Sequence, residues 1–424
     1  MKLKLHWQIL IAIGLAVMAG LASGEHGAVV GVPLYGVYDF IGTLFINALK
    51  MLIVPLVSSS IIVGVAGLGS SGDLGKLGGR TLSFYAITTL LAILVGLVII
   101  NLINPGLVDG EPAKEILALE SDLGDIAERV EGKSAADVIE VFLRAVPPNI
   151  IAAAANGEML ALIFFSVLFG YFMTRLEHEF ASTLFSFWNA VFQVMMHITE
   201  WVMKFAPIGV FGLVARVVAK TGLSAAGPLA LFAFAVLLAL AFHTFVTLPL
   251  LLKYVGRLSP LAVLRTMSPA MLTAFSTASS SATLPITMEC VEKQGGVSNR
   301  VSAFVLPLGA TVNMNGTALY ECGAALFLAQ AYGLELSLGV QFSIVVIALV
   351  TSIGVAGIPS ASLVAIAIIL AAVGLPVEAI GVLFVFDRVL DMARTSVNVF
   401  GDSCCAFLVA HLEGEKNLLP EQNN

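Results

Sequence analysis

Residues 276–285 read STASSSATLP, and this polar run separates two short apolar arms within residues 259–293. The pattern returns within residues 337–373, where SLGVQFSIVVIALV leads into TSIGVAGIPSAS and then into a second apolar arm. Each arm has about 11–14 residues, whereas a helix needs roughly 20 to cross a bilayer. A polar tip is tolerated at membrane depth only where protein buries it or a wet cavity receives it. We therefore predict two re-entrant helical hairpins, the arrangement expected around a transport site. The alternative is ordinary short helices joined by surface loops.

The remainder of the chain has the composition of an integral membrane protein. Its 424 residues are 58% hydrophobic and only 12% charged, with a mean hydropathy of +0.99. Soluble domains carry about twice that fraction of charge. Apolar runs such as 84–103 and 228–252 are long enough to span a bilayer. Periodicity places long helices at roughly 5–24, 36–68, 76–104, 138–190 (broken), 191–222, 226–256, 297–331 and 376–413. We expect an all-α polytopic membrane protein.

The distribution of charge predicts the orientation. Acidic residues cluster in 109–140, and the segment between the first two spans contains no Lys or Arg. Lys and Arg are enriched in cytoplasmic loops. Basic residues lie before the first span, after the second and after a later one: Lys2, Lys4, Lys76, Arg80, Lys253, Arg257 and Arg265. We expect a multi-pass protein of the cell (inner or plasma) membrane with a cytoplasmic N-terminus and an external acidic loop. The first apolar segment is interpreted as a retained helix and not as a cleaved signal peptide.

A charged stretch, DRVLDMARTSVNVFGD at 387–402, lies between two apolar flanks. On a helix, its polar residues fall within a stripe roughly 100° wide. We call this stripe the polar face; it consists of Asp387, Asp391, Arg394, Thr395, Asn398 and Asp402, with Arg388 at its edge. Ionisable residues inside a membrane are costly and usually mark a substrate or ion pathway. The alternatives are a water-facing amphipathic helix, or structural pairing such as Asp391 with Arg394 at i, i+3.

The chemistry of the polar face suggests its ligand. The guanidinium of Arg394 suits a carboxylate, and Asp391 suits an ammonium group. A molecule that has both groups is an amino acid. Helix N-terminal N–H groups and hydroxyls at SSSAT (279–283) offer a second carboxylate site. These features indicate aspartate or glutamate, while Asp402 and Asn398 suit an oxygen-coordinated monovalent cation.

A further polar segment, NMNGTALYE at 313–321, interrupts an apolar helix. Gly316, between Asn315 and Thr317, indicates local unwinding that frees carbonyl groups to coordinate a cation. A simple kink is the alternative interpretation.

Four motifs, SSSATLPITM, LPLGATVNMNGTALYE, GIPSAS and DMARTSVNVFGD, resemble the dicarboxylate/amino acid:cation symporter family, which includes the excitatory amino-acid transporters. The resemblance covers essentially the whole chain. It implies the glutamate-transporter (elevator) fold, with eight transmembrane helices and two re-entrant hairpins, and a homotrimer. The implied domains are scaffold 1–75, transport domain 76–108, acidic loop and scaffold 109–222, transport domain 223–416 and a tail at 417–424.

The resemblance also implies roles for individual residues. Arg394, with Thr317 beside it, resembles the ligand of the substrate's side-chain carboxylate, and Asp391 resembles the ligand of its amino group. Asn398 and Ser280 match positions that hold the main-chain carboxylate. The full implied substrate set is Ser279, Ser280, Ser281, Thr317, Gly357, Pro359, Asp391, Arg394, Thr395 and Asn398.

Sodium ions are implied as co-transported substrates, and no organic cofactor or nucleic-acid partner is expected. The first site matches Gly309, Asn313, Asn398 and Asp402. The second matches carbonyl groups of Thr311, Ser352, Ile353 and Val355. The third matches Tyr85, Thr88, Thr89, Asn313 and Asn315.

Two positions bear on ion coupling. The family usually has Asp where this chain has Asn315, so a formal charge is missing from the third sodium site, which we expect to function abnormally. Glu321 resembles the proton carrier of mammalian-type members. The alternative is a carboxyl group that stays protonated and only forms hydrogen bonds.

The resulting hypothesis is a sodium-coupled symporter of aspartate or glutamate, with protons as a further candidate ion. The alternative within the family is a proton-coupled member, or one for neutral amino acids or C4-dicarboxylates. GSSG at 69–72 matches a rhomboid-like protease motif with Ser71, but a flexible turn explains it more simply, and no enzymatic activity is expected. A channel is disfavoured because paired hairpins indicate an occluded site.

Overall fold

The computed structural model describes residues 5–68, 75–119, 146–155, 159–334, 336–352 and 362–419, and these residues are mainly helical. The first helices are α1 (Leu5–Ser23), α2 (Leu34–Leu68), α3 (Gly75–Ile103), α4 (Ile150–Ala155), α5 (Met159–Met173), α6 (His178–Met203), α7 (Ala206–Thr221) and α8 (Ala226–Tyr254). The later helices are α9 (Pro260–Thr277), α10 (Ser280–Glu289), α11 (Asn299–Val312), α12 (Asn315–Ala331), α13 (Leu338–Ser352), α14 (Ser362–Val373) and α15 (Phe384–Leu412).

Short irregular elements complete the described chain. The α8 helix contains a π-helical turn at His243–Thr247, and a second π-turn, Cys290–Gln294, follows α10. A 3₁₀ helix at Val377–Leu383 leads into α15. Two antiparallel pairs of two-residue strands occur: β1 (Ala28–Val29) with β2 (Val32–Pro33), and β3 (Leu107–Val108) with β4 (Glu111–Pro112).

The helices pack in two groups. The α7 helix packs on α1 and α2, and α2 also packs on α5 and α6. Glycines allow close approach: a Cβ added at Gly20 of α1 would lie 2.8 Å from the Ala215 carbonyl oxygen of α7. In the second group, α3 packs on α8 and α12, and α15 packs on α9, α11 and α12.

Among the described helices, α3 (Lys76–Ile103) and α8 (Ala226–Tyr254) are long and apolar enough to cross a membrane. Their mean hydropathies are 2.7 and 2.4 over the most apolar 18-residue windows. These helices lie where the apolar runs 84–103 and 228–252 predict them.

The segment of the first predicted hairpin forms two helices, α9 and α10, which pack against each other. Two residues form the reversal. Ala278 ends α9 in the left-handed region with φ of +50°, and Ser279 caps α10 by accepting the Ala282 N–H at 3.2 Å. Most of the STASSSATLP run is therefore helical, because a serine N-cap lets the second arm begin immediately after the first one ends.

The segment of the second predicted hairpin contains α13 and α14, which pack against each other and against α12. Its tip, 353–361, lies outside the described residues. The same holds for 120–145 of the acidic loop and for the GSSG segment at 69–72.

Two long helices predicted from periodicity are broken. The segment 191–222 belongs to α6 and α7, which are separated at Lys204–Phe205; Pro207, at the start of α7, lacks the N–H that a continuous helix would use. The segment 297–331 is divided at Asn313 and Met314, whose φ/ψ angles of −101°/75° and −103°/63° are not helical. The predicted interruption is therefore confirmed, but Gly316 lies within the first turn of α12.

The residues after α15 pack back onto the molecule. Glu415 accepts the Ser298 backbone N–H at 2.9 Å and its hydroxyl at 2.5 Å, at the N-terminus of α11. The Leu419 N–H donates to the Gly295 carbonyl at 2.8 Å. Arg80, near the start of α3, pairs with Glu413 at 2.5 Å. These contacts join the segment after α15 to the starts of α3 and α11 and to the turn that follows α10.

Candidate substrate and cation sites

The polar face of α15 is buried within the protein. Asp387, Asp391, Arg394, Thr395, Asn398 and Asp402 are all buried, at between 0% and 7% exposure. The α15 helix presents these side chains to surrounding helices because α9, α11 and α12 cover it. The interpretation as a water-facing amphipathic helix is therefore wrong.

Arg394 is completely buried and only partly paired. Its Nη2 lies 3.1 Å from Asp387 Oδ1 and 3.0 Å from Asp391 Oδ1. The guanidinium carbon lies 3.9 Å from the centroid of the Tyr320 ring, a cation–π contact. Nε and Nη1 have no hydrogen-bond partner among the described residues. Buried donors without partners are costly, so these two nitrogens are suited to an incoming anion.

Asp391 is held by two arginines. Arg394 contacts its Oδ1, and Arg388 Nη1 lies 3.3 Å from its Oδ2. The side chains of Arg388 and Asp391 are 6% and 10% exposed. The i, i+3 pairing of Asp391 with Arg394, raised above as the structural alternative, is present, and Arg388 is a second partner of Asp391.

Asn398 connects α15 to the break between α11 and α12. Its Oδ1 accepts the Gly316 N–H at 2.8 Å, and its Nδ2 donates to the Thr317 hydroxyl at 3.0 Å. The start of α12 therefore lies directly against the polar face, and Thr317 comes to the same region as Arg394 and Asn398.

Asp402 and Asn313 form a polar cluster one turn further along α15. Asn313 Nδ2 donates to Asp402 Oδ1 at 2.9 Å. Gly309 lies so close that an added Cβ would be 2.6 Å from Asp402 Oδ1. The structure thus brings together Gly309, Asn313 and Asp402 of the predicted first sodium site, with Asn398 one turn away along α15.

A second cluster joins α3 to the break. The Thr89 hydroxyl donates to Asn315 Oδ1 at 2.9 Å and contacts Asn313 Oδ1 at 3.3 Å. Thr88 contacts the same two amide oxygens at 3.4 and 3.2 Å. The Tyr85 hydroxyl donates to the Val305 carbonyl and would lie 3.0 Å from a Cβ at Gly309. The residues predicted for the third sodium site are therefore neighbours, and Asn315 Nδ2 has no partner among the described residues.

Glu321 is fully buried one helical turn beyond Thr317 on α12. The Thr351 hydroxyl of α13 donates to its Oε2 at 3.2 Å, whereas Oε1 has no partner among the described residues. This carboxyl group thus contacts the first arm of the second hairpin.

The hairpin serines differ in exposure. Ser280 is buried, whereas Ser281 is exposed and Ser279 is intermediate. The hairpin helices α9 and α10 both pack on α15, and the Ser396 hydroxyl donates to the Met271 carbonyl at 3.1 Å.

The second predicted sodium site is only partly described. Thr311 is exposed near the end of α11, and Ser352 is buried at the end of α13. Each hydroxyl bonds only to a carbonyl of its own helix among the described residues. Ile353, Val355, Gly357 and Pro359 lie outside the described residues.

Tyr320 was not predicted as a site residue. Its position within NMNGTALYE carries no signal of an arginine contact, because that contact depends on how α12 packs against α15. The pairing of Arg388 with Asp391, in contrast, could have been predicted from their i, i+3 spacing.

Comparisons with known proteins agree with this geometry. Residues 5–412 match the sodium:dicarboxylate symporter family. The chain is 36% identical to a proton/sodium-glutamate symport protein of Bacillus caldotenax, over 98% of this chain and 96% of the relative. It is 34% identical to the proton/glutamate-aspartate symporter of Escherichia coli K12, over 97% and 93%. It is 35% identical to human excitatory amino acid transporter 3, over 95% and 84%.

Such matches along nearly the whole length identify a class of membrane transporters, not of enzymes. The chain belongs to the sodium:dicarboxylate symporter family.

Proposed function

We propose that this protein is a secondary active symporter of aspartate or glutamate, coupled to sodium ions. The observation that carries the proposal is Arg394, a fully buried guanidinium with two unpartnered nitrogens beside the carboxylates of Asp387 and Asp391. A ligand that supplies a carboxylate to Arg394 and an ammonium to Asp391 satisfies both groups. The names of the bacterial relatives, which refer to glutamate and to glutamate and aspartate, support this substrate class.

In this proposal the substrate replaces an internal ion pair. Arg394 binds the side-chain carboxylate of the substrate, with Thr317 and Thr395 alongside. Asp391 Oδ1, which Arg394 then no longer contacts, binds the ammonium group of the substrate. Asn398, together with the tip formed by Ser279, Ser280 and Ser281, holds the main-chain carboxylate. The burial of Ser280 and the contact of α10 with α15 support this placement. Gly357 and Pro359 are assigned to the gate above the substrate by resemblance only.

Sodium binds near Asp402 in this scheme, with Gly309, Asn313 and Asn398, because a buried carboxylate and nearby carbonyl and amide oxygens suit a hard monovalent cation. A second ion uses carbonyl groups of Thr311, Ser352, Ile353 and Val355. The cluster of Tyr85, Thr88, Thr89, Asn313 and Asn315 offers only neutral oxygens, so we propose that it binds sodium weakly.

A proton is the second candidate coupling ion. Glu321 is buried, contacts Thr351 of α13 and retains a free Oε1 among the described residues. A carboxyl group so placed can carry a proton when the second hairpin moves. The names of the relatives from Bacillus caldotenax and Escherichia coli include the proton, which agrees with this role.

Transport occurs by an elevator movement. Residues 1–75 and 109–222 form the scaffold, whereas 76–108 and 223–416 form the transport domain, with 417–424 as a tail. The more extensive packing within α1, α2 and α5–α7 and within α3 and α8–α15 than between the two groups supports this division. We further propose a homotrimer in the cell (inner or plasma) membrane, with eight transmembrane helices, two re-entrant hairpins and a cytoplasmic N-terminus.

The test is uptake by proteoliposomes that contain the purified full chain. Radiolabelled aspartate and glutamate are offered under separately imposed sodium, proton and potassium gradients. We expect concentrative uptake driven by an inward sodium gradient. A channel cannot accumulate substrate against its gradient, so equilibration without accumulation would favour that alternative. Absence of any uptake, with correctly reconstituted protein, would refute the proposal.

A further inference from the structure

Arg388 is a buried arginine for which the substrate scheme above has no use. It lies on α15 one turn before Asp391, its side chain is 6% exposed, and its Nη1 lies 3.3 Å from Asp391 Oδ2. Arg394 approaches the opposite oxygen, Oδ1, at 3.0 Å. The carboxylate that is assigned to the substrate's ammonium group therefore has a cationic partner on each oxygen, and the proposed substrate displaces only Arg394.

The charges at this end of the polar face balance before any substrate binds. Asp387 and Asp391 contribute two negative charges, and Arg388 and Arg394 contribute two positive ones. When Arg394 turns to a substrate carboxylate, Arg388 remains on Asp391. Asp391 is then not left as an uncompensated buried carboxylate, a state that would be strongly unfavourable.

This arrangement changes what the site requires of its ligand. If Asp391 had Arg394 as its sole partner, a ligand without an ammonium group would leave the carboxylate buried and unpaired. With Arg388 in place, part of that compensation is already supplied by the protein. A cation fixed near the site also favours a ligand of charge −2 more than one of charge −1, because the Coulomb energy scales with ligand charge.

We propose that Arg388 is a specificity-determining residue that lowers the site's requirement for a substrate amino group. The proposal rests on the proposed function, since it assumes that acidic amino acids bind at Arg394 and Asp391. Arg388 acts through Asp391 and does not itself contact the substrate.

The experiment uses the full chain in proteoliposomes with an inward sodium gradient. The KM for radiolabelled L-aspartate and the inhibition constant of succinate, which has the two carboxylates but no amino group, are measured together. The informative quantity is the ratio of the succinate inhibition constant to the aspartate KM. A general loss of stability changes the number of active molecules and leaves this ratio unchanged.

We expect wild-type protein to be inhibited by succinate at concentrations within about 100-fold of the aspartate KM, and Arg388→Gln to raise the ratio at least about tenfold. Arg388→Lys, which retains the charge, should restore most of the wild-type ratio. The matched control is Arg80→Gln, which removes an arginine from the salt bridge with Glu413 at the other end of α15 and should leave the ratio unchanged.

An unchanged or lower ratio in active Arg388→Gln protein would overturn the inference. If that variant does not reconstitute, the wild type alone still decides: no inhibition by succinate at about 1,000-fold above the aspartate KM would also overturn it. Both results presuppose measurable aspartate uptake, so they are distinct from failure of the proposed function, in which the wild type takes up no acidic amino acid.

Discussion

Asn398 Oδ1 accepts the backbone N–H of Gly316 at 2.8 Å. This single contact joins the polar face of α15 to the start of α12, because the N–H groups in the first turn of a helix have no partner within it. Asn398 thereby satisfies a donor exposed by the break at Asn313 and Met314. It also sets Thr317 beside the substrate region and leaves Asn313 directed at Asp402.

Gly316→Ala tests how tightly this contact is packed. An added Cβ would lie 2.7 Å from the Arg394 carbonyl oxygen and 3.0 Å from its Cα, so backbone must move. We expect aspartate uptake to fall at least about tenfold and the protein to lose about 1–3 kcal/mol of stability. The control is Gly323→Ala on the same helix, whose Cβ would meet the Ile100 side chain at 3.3 Å. Equal effects of the two substitutions in uptake and thermal-unfolding assays would contradict the prediction.

Arg394→Cys should remove the ligand of the substrate's side-chain carboxylate. Because the guanidinium is fully buried, we expect aspartate affinity to fall by at least about 100-fold, with a gain of small neutral amino acids such as serine. Affinity is measured by competition uptake. The control is Arg216→Cys on α7, which removes the salt-bridge partner of Asp39 on α2 and should retain aspartate selectivity. Unchanged aspartate uptake in Arg394→Cys would refute the assignment.

Asp391→Ala should abolish aspartate binding because the substrate ammonium loses its counter-charge while Arg388 and Arg394 remain in place. Isothermal titration of detergent-purified protein measures the binding. Size-exclusion elution like that of the wild type shows that the fold is retained. Asp39→Ala, at a half-exposed carboxylate on α2, provides the matched control. Wild-type affinity in the Asp391 variant would be incompatible with this role.

Asn315→Asp should strengthen the third cation site, since it adds a carboxylate where Thr88, Thr89 and Asn313 supply neutral oxygens. We expect a steeper dependence of aspartate binding on sodium concentration, with a larger Hill slope. Asn101→Asp makes the same chemical change on α3, at a side chain that donates to Gln341, and should not steepen the curve. An identical slope in wild type and Asn315→Asp would leave Asn315 without a role in coupling.

Glu321→Gln should separate proton coupling from sodium coupling. The amide oxygen can still accept the Thr351 hydroxyl, so the packing of α12 on α13 is retained while proton exchange is lost. We expect sodium-driven uptake that no longer responds to an imposed proton gradient. Glu289→Gln, at an exposed position in α10, is the control. A response to the proton gradient equal to that of the wild type would exclude Glu321 as the carrier.

Sequence alone determined the elements whose signal is local. Arms too short to span predicted the helix pairs α9–α10 and α13–α14, and helical periodicity placed Asp391, Arg394, Asn398 and Asp402 on one face. These inferences need only the rise of a helix and the spacing of polar residues. The break within 297–331 was predicted near Gly316, whereas the split of 191–222 into α6 and α7 was missed because Pro207 and its neighbours were read within one apolar run.

Only the tertiary structure decided which groups meet across helices. Three contacts join residues that are between 74 and 226 positions apart, and no local sequence pattern predicts them. They are the stacking of Tyr320 on Arg394, the hydrogen bond from the Gly316 N–H to Asn398, and the contact of Thr89 with Asn315. The tertiary structure also decided burial, because the sequence pattern of a charged stripe on a helix is the same whether water or protein covers it. The packing of α9, α11 and α12 around α15 makes the difference, because it removes the solvent that would otherwise satisfy Arg394.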